Sequence, residues 1–339
     1  MDRLRAAVVG SGGMAYTRAA HVQGDDRAEV VCVSSRNIVT GRALAERCGV
    51  PYVEDWESAI GRPEVDAVFV TTHNDSHAAI ALAALQAGKH VLVEYPLAMT
   101  LREADVLLDR AASGKRVLRV GHDHAGVGWH LGIKAAAAEL GELLAVNGVL
   151  TTPTRGGGRS IWRNQRLSGP PLMGGIAYVY HLLDLFGPMA WVEGTSRYEG
   201  LDDGGFYRSS VTTLTAGFVA GGVGQLLYVR GFAVPRSEQA ESMMMSNGFL
   251  SYRGYVSGSH STEGHLTRVT GAGSERLAFP EVALAGASRQ TTDAFLTAAL
   301  DRGGPEPGPA PATRLAREAV AVALAAEESA AGGGRIALN

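Results

Sequence analysis

The segment Gly174-Gly175-Ile176-Ala177-Tyr178-Val179-Tyr180-His181-Leu182-Leu183-Asp184 is chemically dense. Read as a helix, it puts Ala177, Tyr178 and His181 on one face, because side chains three and four residues apart meet, and Asp184 lies a turn further on. His181 can donate or accept a proton near neutral pH, and Tyr178 can donate one or orient a substrate. Two further clusters carry similar groups: Glu94-Tyr95-Pro96 behind the apolar run Val91-Leu92-Val93, and Gly121-His122-Asp123-His124. Tyr95, Tyr178 and His181, with His122 or His124, are therefore the candidate catalytic residues. They would orient a small-molecule substrate and give it a proton, directly or through water.

A cofactor is written into the amino-terminal residues. Ala6-Ala7-Val8-Val9 reads as a buried strand, and Gly10-Ser11-Gly12-Gly13-Met14-Ala15 follows at once, opening a helix from Tyr16 to about Val22. In this G-x-G-x-x-A context Gly10 permits a tight turn, Gly12 lets the backbone approach a pyrophosphate, and Ala15 allows close helix packing. The helix amino terminus offers unpaired N–H groups to the phosphates. A second strand, Glu29 to Val33, ends in Ser34-Ser35-Arg36, where an NAD enzyme would place an acid on the ribose hydroxyls. Two hydroxyls and a guanidinium suit a 2′-phosphate, so NADPH is the expected cofactor and NADH a possible one. Thr71, Thr72, His73, Asn74 and His77 follow a third strand, Asp66 to Val70, and Glu94, Tyr95 and Pro96 follow the strand Val91-Leu92-Val93. Ligands of open parallel sheets bind at the carboxyl ends of strands, so Gly10, Ser34, Thr72 and Tyr95 should line one crevice.

Alternating strands and helices, including a helix from Glu103 to Ala112 stopped by Gly114 and a strand from Arg116 to Val120, predict a doubly wound Rossmann domain over residues 1–122. After a helix from Ile133 to Leu140 the rhythm changes to β-like stretches at Leu144–Leu150, Val211–Val219, Gly224–Val229 and Leu266–Val269. Residues 123–339 are thus expected to form an α+β domain with one large, mostly antiparallel sheet. Gly156-Gly157-Gly158 reads as a loop, Gly303 to Pro311 as a connector, and Met243-Met244-Met245 as core or interface filler. The final helix, Ala312 to about Ala331, is expected to pack back on the first domain. An open sheet face needs covering, which predicts a homodimer or homotetramer.

The chain has 339 residues, 46% hydrophobic and 19% charged, with a net charge of -3 and no long run of one sign. That excludes an electrostatic nucleic-acid footprint and a polybasic membrane anchor. No apolar run approaches the roughly 20 residues of a membrane span, and the short apolar strand before Gly10 leaves no room for a signal peptide. Cys32 and Cys48 lack metal-ligand spacing and fit a reducing cytoplasm, and no metal site is expected.

Gly10-x-Gly12-x-x-Ala15, Thr72-x-Asn74-x-x-His77, Ala87-Gly88-Lys89-His90-Val91, Glu94-Tyr95-Pro96 and Gly174-Gly175 through His181-Leu182-Leu183-Asp184 stand in the order found in the Gfo/Idh/MocA family of NAD(P)-dependent oxidoreductases, which the whole chain resembles. The resemblance implies a Rossmann domain, a carboxyl-terminal α/β domain whose open sheet mediates dimers or tetramers, and a site between them. Two positions depart from the family pattern. Tyr95 occupies the place of a lysine that sugar and cyclitol dehydrogenases of this family set beside the nicotinamide, and Ala177 occupies that of an aspartate preceding the histidine. Without that aspartate, His181 is expected to lack a tuning carboxylate. Val93-Glu94-Tyr95-Pro96 is similar to the biliverdin reductases, a branch that delivers hydride to a conjugated C=C/C=N system, although their later arginine aligns with Tyr178. The expected activity is an NADPH-dependent reduction of a C=N or conjugated C=C bond. A sugar or cyclitol ketoreductase and a non-catalytic cofactor-binding regulator are the alternatives.

Overall fold

The computed structural model describes residues 3–153, 160–232, 237–257, 260–301 and 311–338. The expected glycine loop at 156–158 and the connector before Pro311 lie outside the described residues.

Six apolar segments form a parallel sheet: β1 (Leu4–Val9), β2 (Ala28–Ser34), β3 (Tyr52–Val53), β4 (Ala67–Val70), β5 (His90–Val93) and β6 (Leu118–Val120). Their order is β3-β2-β1-β4-β5-β6, so the winding reverses between β1 and β4, where a doubly wound sheet opens its ligand crevice. Helices Gly13–Gln23, Ile38–Cys48, Asn74–Gln86 and Leu101–Ser113 follow β1, β2, β4 and β5. Their starts are locally encoded: Asn37 accepts the N–H groups of Val39 and Thr40, and Thr100 with Glu103 closes a capping box. Each such cap is worth about 1 kcal/mol. The first compact unit runs to His122 and also takes in Ser288–Leu300 of the helix Leu284–Leu300, which sequence reasoning missed, and the last helix as far as Arg317. Phe295 of the missed helix meets Phe69 of β4 edge-on at 5.2 Å in a core with Val8, Val33 and Leu92. Within this unit, the first turns of the last helix, Pro311–Gly332, are held by Thr313, which donates to the Leu118 carbonyl, and Arg317, which pairs with Asp105 at 2.8 Å.

The second unit holds nine strands: β7 (Leu143–Pro153), β8 (Met189–Glu199), β9 (Ser209–Phe218), β10 (Val223–Phe232), β11 (Ser237–Met245), β12 (Gly248–Ser257), β13 (His260–Thr270), β14 (Gly273–Leu277) and β15 (Ile336–Ala337). The order is β14-β13-β12-β11-β7-β10-β9-β8-β15, antiparallel throughout except for the parallel pair β7/β10. Strand alternation sorts its residues: on β11, Gln239, Glu241, Met243 and Met245 are buried while Met244 is 54% exposed. The methionine triplet therefore divides between core and the opposite face.

One part-buried contact makes the fold sensitive to acid. His90 Nδ1 accepts the Val117 N–H at 3.1 Å, which requires a bare nitrogen, and burial pulls this histidine down to about 4. An unfolded histidine binds its proton near pH 6.5. The unfolded chain thus takes up the proton first, and stability falls as pH drops from 6.5 toward 4. His77 and His130, also lowered by burial, act in the same sense. The thermal midpoint should fall between pH 7.5 and pH 5, and less so in His90→Asn. A midpoint flat across that range would contradict the assignment.

Candidate active site

The cofactor end is built around Gly10, whose φ of +127° and whose absent Cβ, which would stand 2.4 Å from the Thr71 carbonyl and hydroxyl oxygens, exclude any other residue. Gly10 N–H donates to the Ser34 carbonyl at 2.7 Å, locking the turn to the end of β2. Nothing lies within 4 Å of a Cβ built on Gly12 or Gly13, and the helix Gly13–Gln23 begins without a side-chain cap. First-turn N–H groups under open space are a ready anion cradle, which fits a dinucleotide pyrophosphate. Ala15 is fully buried beneath it, Met14 is half-buried, and Ser11 Oγ lies 2.7 Å from Thr40 Oγ1.

The expected 2′-phosphate contacts are only partly presented. Ser34 is buried, and the Ser35 hydroxyl donates inward to the Asn37 carbonyl at 2.7 Å. Arg36 is exposed, with one guanidinium nitrogen 3.0 Å from His73 Nδ1. Burial, with Arg36 adding to it, holds His73 below its ordinary pKa, so this ring accepts as a neutral imidazole.

His77 is buried between the carbonyls of Pro96 (2.8 Å from Nδ1) and Thr72 (3.2 Å from Nε2), joining the loop after β4 to the turn after β5, with Asn74 buried beside it. Glu94 is also buried, with its carboxylate on the fully buried Arg18 at 2.7 Å. Arg18 donates further to Ser288 and Thr292, so this pair ties the glycine helix, the end of β5 and the helix Leu284–Leu300 together. Half-buried Tyr95 stacks on His122 with centroids 5.3 Å apart and planes 15° from parallel.

The second unit holds the other candidates on the helix Ile176–Phe186. Both ring nitrogens of the buried His181 are engaged: Nδ1 lies 2.7 Å from His130 Nδ1, and Nε2 lies 2.9 Å from Glu241 Oε2. His130, on the helix Gly128–Glu139, turns its Nε2 to Asp184 at 2.7 Å, and Lys134 reaches the same Asp184 oxygen at 2.8 Å. Gln239 donates to the other Glu241 oxygen. The expectation that Ala177 leaves His181 without a carboxylate is corrected here: Glu241 touches it directly and Asp184 acts through His130. His130 and Glu241 escaped sequence reasoning because each arrives from a distant segment, and a glutamate on an inward strand position reads as solvent-facing.

Charges follow the contacts. The His130 hydrogen bond, reinforced by Lys134, holds Asp184 at about 2, while burial keeps His130 below its ordinary value. Burial, then the neighbouring Glu241 carboxyl, pushes Tyr178 well above the usual phenol range. The Tyr178 hydroxyl packs where a Cβ on Gly148 would stand 2.0 Å away. Trp129 packs on His181 at 5.0 Å and stacks on Tyr252, and burial lowers His124. Among the described residues no group of three or more His, Cys, Asp or Glu is placed to hold a metal ion.

Residues 4–122 match the model of the GFO_IDH_MocA oxidoreductase family, an NAD-binding Rossmann fold. The first unit thus matches the NAD-binding Rossmann domain of that family. Over 112 residues, 33% of this chain and 34% of the relative, the sequence is 40% identical to 1,5-anhydro-D-fructose reductase of Ensifer adhaerens. The match spans less than half the length of the first curated relatives. Solved structures share the fold of nearly the whole chain. Biliverdin reductase from Synechocystis sp. PCC 6803, in complex with biliverdin and NADP+, superposes with a TM-score of 0.84 over 97% of this chain and 99% of that one, at 24% identity. A 3-ketoreductase from Actinomadura kijaniata, in complex with NADP, gives 0.80 over 96% and 98%, at 20% identity. At such identities the shared property is the fold.

Proposed function

We propose that the protein is an NADPH-dependent reductase that delivers hydride to a C=N or conjugated C=C bond of a small molecule. The observation that carries this reading is Tyr95, a phenol rather than an ammonium, stacked on His122 at the end of β5. A phenol offers a hydrogen bond but no fixed positive charge to draw a proton from an alcohol. Reduction of an already polarised acceptor needs only a hydride, which the reduced nicotinamide supplies, and one positioned proton. His181 and Tyr178 are the candidate donors of that proton. A ketoreductase is the second reading, favoured by the Glu241–His181 contact, since a histidine backed by a carboxylate also suits a carbonyl. Screening purified protein for NADPH oxidation against imines, tetrapyrroles and keto-sugars separates the two. A cofactor that binds without any turnover would instead favour a regulator.

Arg36, exposed beside His73 with no acid at the end of β2, supports NADPH over NADH. A charge-assisted hydrogen bond to the 2′-phosphate is worth roughly 1.5–3 kcal/mol, about tenfold or more in affinity. Calorimetry should find NADPH bound tighter by that factor and the difference mostly gone in Arg36→Ala. Equal dissociation constants in the wild type would sink the assignment. The assembly proposed is a homodimer or homotetramer, because Val223 and Met244, which share the sheet face of Ala145, are exposed there. Light scattering at micromolar concentration should exceed the 35.4 kDa of one chain. A monomer mass throughout would contradict it.

A further inference from the structure

We infer that Glu241 and His181 hold one mobile proton between them, and that Asp184, acting through His130, fixes the tautomer that makes this proton necessary. Its use as the proton source of a reduction rests on the reading above; its presence does not.

Three contacts in series, Asp184–His130, His130–His181 and His181–Glu241, measure 2.7, 2.7 and 2.9 Å. Each brings two lone-pair atoms together and is attractive only with a hydrogen between them. Two neutral imidazoles contribute one hydrogen each, and two carboxylates contribute none. A third hydrogen is required.

Its place follows from where charge is already balanced. Asp184 has Lys134 on the same oxygen, and Lys134 is half exposed, so that end is a neutralised ion pair reached by solvent. The Glu241 side chain is fully buried, with the Gln239 amide and the His181 ring on its oxygens and the uncharged Tyr178 phenol beside it. An uncompensated carboxylate there would carry a large desolvation penalty. The third hydrogen therefore sits at the His181–Glu241 contact, as imidazolium with carboxylate or imidazole with carboxylic acid. His130 then donates from Nε2 to Asp184 and accepts at Nδ1 from the Nδ1–H of His181. This polarity agrees with the burial that keeps His130 neutral. Tyr178 and Tyr252 face Glu241, and His124 lies in the field of both histidines. When the stored proton leaves, the pair becomes imidazole and carboxylate, and one proton from water restores it. Glu241, His130 and Asp184 are positioning residues in this account.

Nitrogen-15 spectra of the full-length protein labelled at histidine test it without any substrate. At pH 7 His130 should show a bare Nδ1 and a protonated Nε2, and His181 a protonated Nδ1 with a hydrogen shared at Nε2. In Glu241→Gln His181 should be a plain neutral Nδ1–H ring, because the amide now supplies the hydrogen. A protonated Nδ1 on His130, or an Nε2–H on His181 that persists in Glu241→Gln, would overturn the proposal. The wild-type spectrum carries the first test if that variant does not fold. In the reductase assay Glu241→Gln should lower turnover about 100-fold or more, the lower range for loss of a proton donor, with a changed pH profile, and Glu241→Asp should recover part of it. The predicted tautomers with no acceptor ever reduced would leave this inference standing and remove the functional one.

Discussion

Replacing His181 with alanine is expected to lower reductive turnover by ~10²–10⁴-fold, the usual effect of removing a positioned proton donor. The structure ties the loss to a specific arrangement. His181 is the only described side chain that joins the Asp184–His130 pair to Glu241, and its removal leaves His130 Nδ1 and Glu241 Oε2 without that partner. Tyr178→Phe should fall in the same range, since the hydroxyl lies buried beside Glu241. Tyr95→Phe should cost less, because that ring keeps its stacking on His122 and loses only an orienting hydrogen bond. Turnover measured below the thermal midpoint of each variant checks the ranking. Full activity in both His181→Ala and Tyr178→Phe would show the site to be misassigned.

The largest effect on stability is expected at Arg18. Its guanidinium is fully buried against Glu94 at 2.7 Å, so Arg18→Met leaves a buried carboxylate without its cation. Breaking such a pair from one side typically costs about 3–5 kcal/mol, whereas removing both charges can be nearly neutral. Urea unfolding should register that loss in the single variant and recover much of it in Arg18→Met/Glu94→Gln. A single-variant loss below about 1 kcal/mol, the range of an exposed pair, would mean that the pair contributes little.

The same residues show how far sequence could be read. Five strands of the parallel sheet were legible, most of them from short apolar runs that end in turn signals, while the two-residue β3 was not, and the glycine turn after β1 is a local demand of φ and of space at Gly10. β11 was not legible: Gln239 and Glu241 occupy inward positions, so the strand lacks the apolar alternation that announces one. The helix Leu284–Leu300 was hidden by its mixture of small and polar residues, although Phe295 anchors it in the first core. At the candidate site, His181, Tyr178 and Asp184 could be placed together by helical spacing. Their partners could not, since His130 lies 51 residues before His181 and Glu241 lies 60 after it. Ser35 was misjudged for a different reason. Its residue type suits a phosphate, but a local bond to the Asn37 carbonyl competes for the same hydroxyl.

The most direct test of the central claim follows the hydride itself. With NADPH carrying deuterium at the transferring position of the nicotinamide, incubation with a cyclic imine or a linear tetrapyrrole should yield a product with one deuterium on the reduced carbon, and the second hydrogen drawn from solvent. Label appearing only in a keto-sugar's alcohol, or robust NADP+-dependent oxidation of a sugar alcohol by the wild-type protein, would contradict the account.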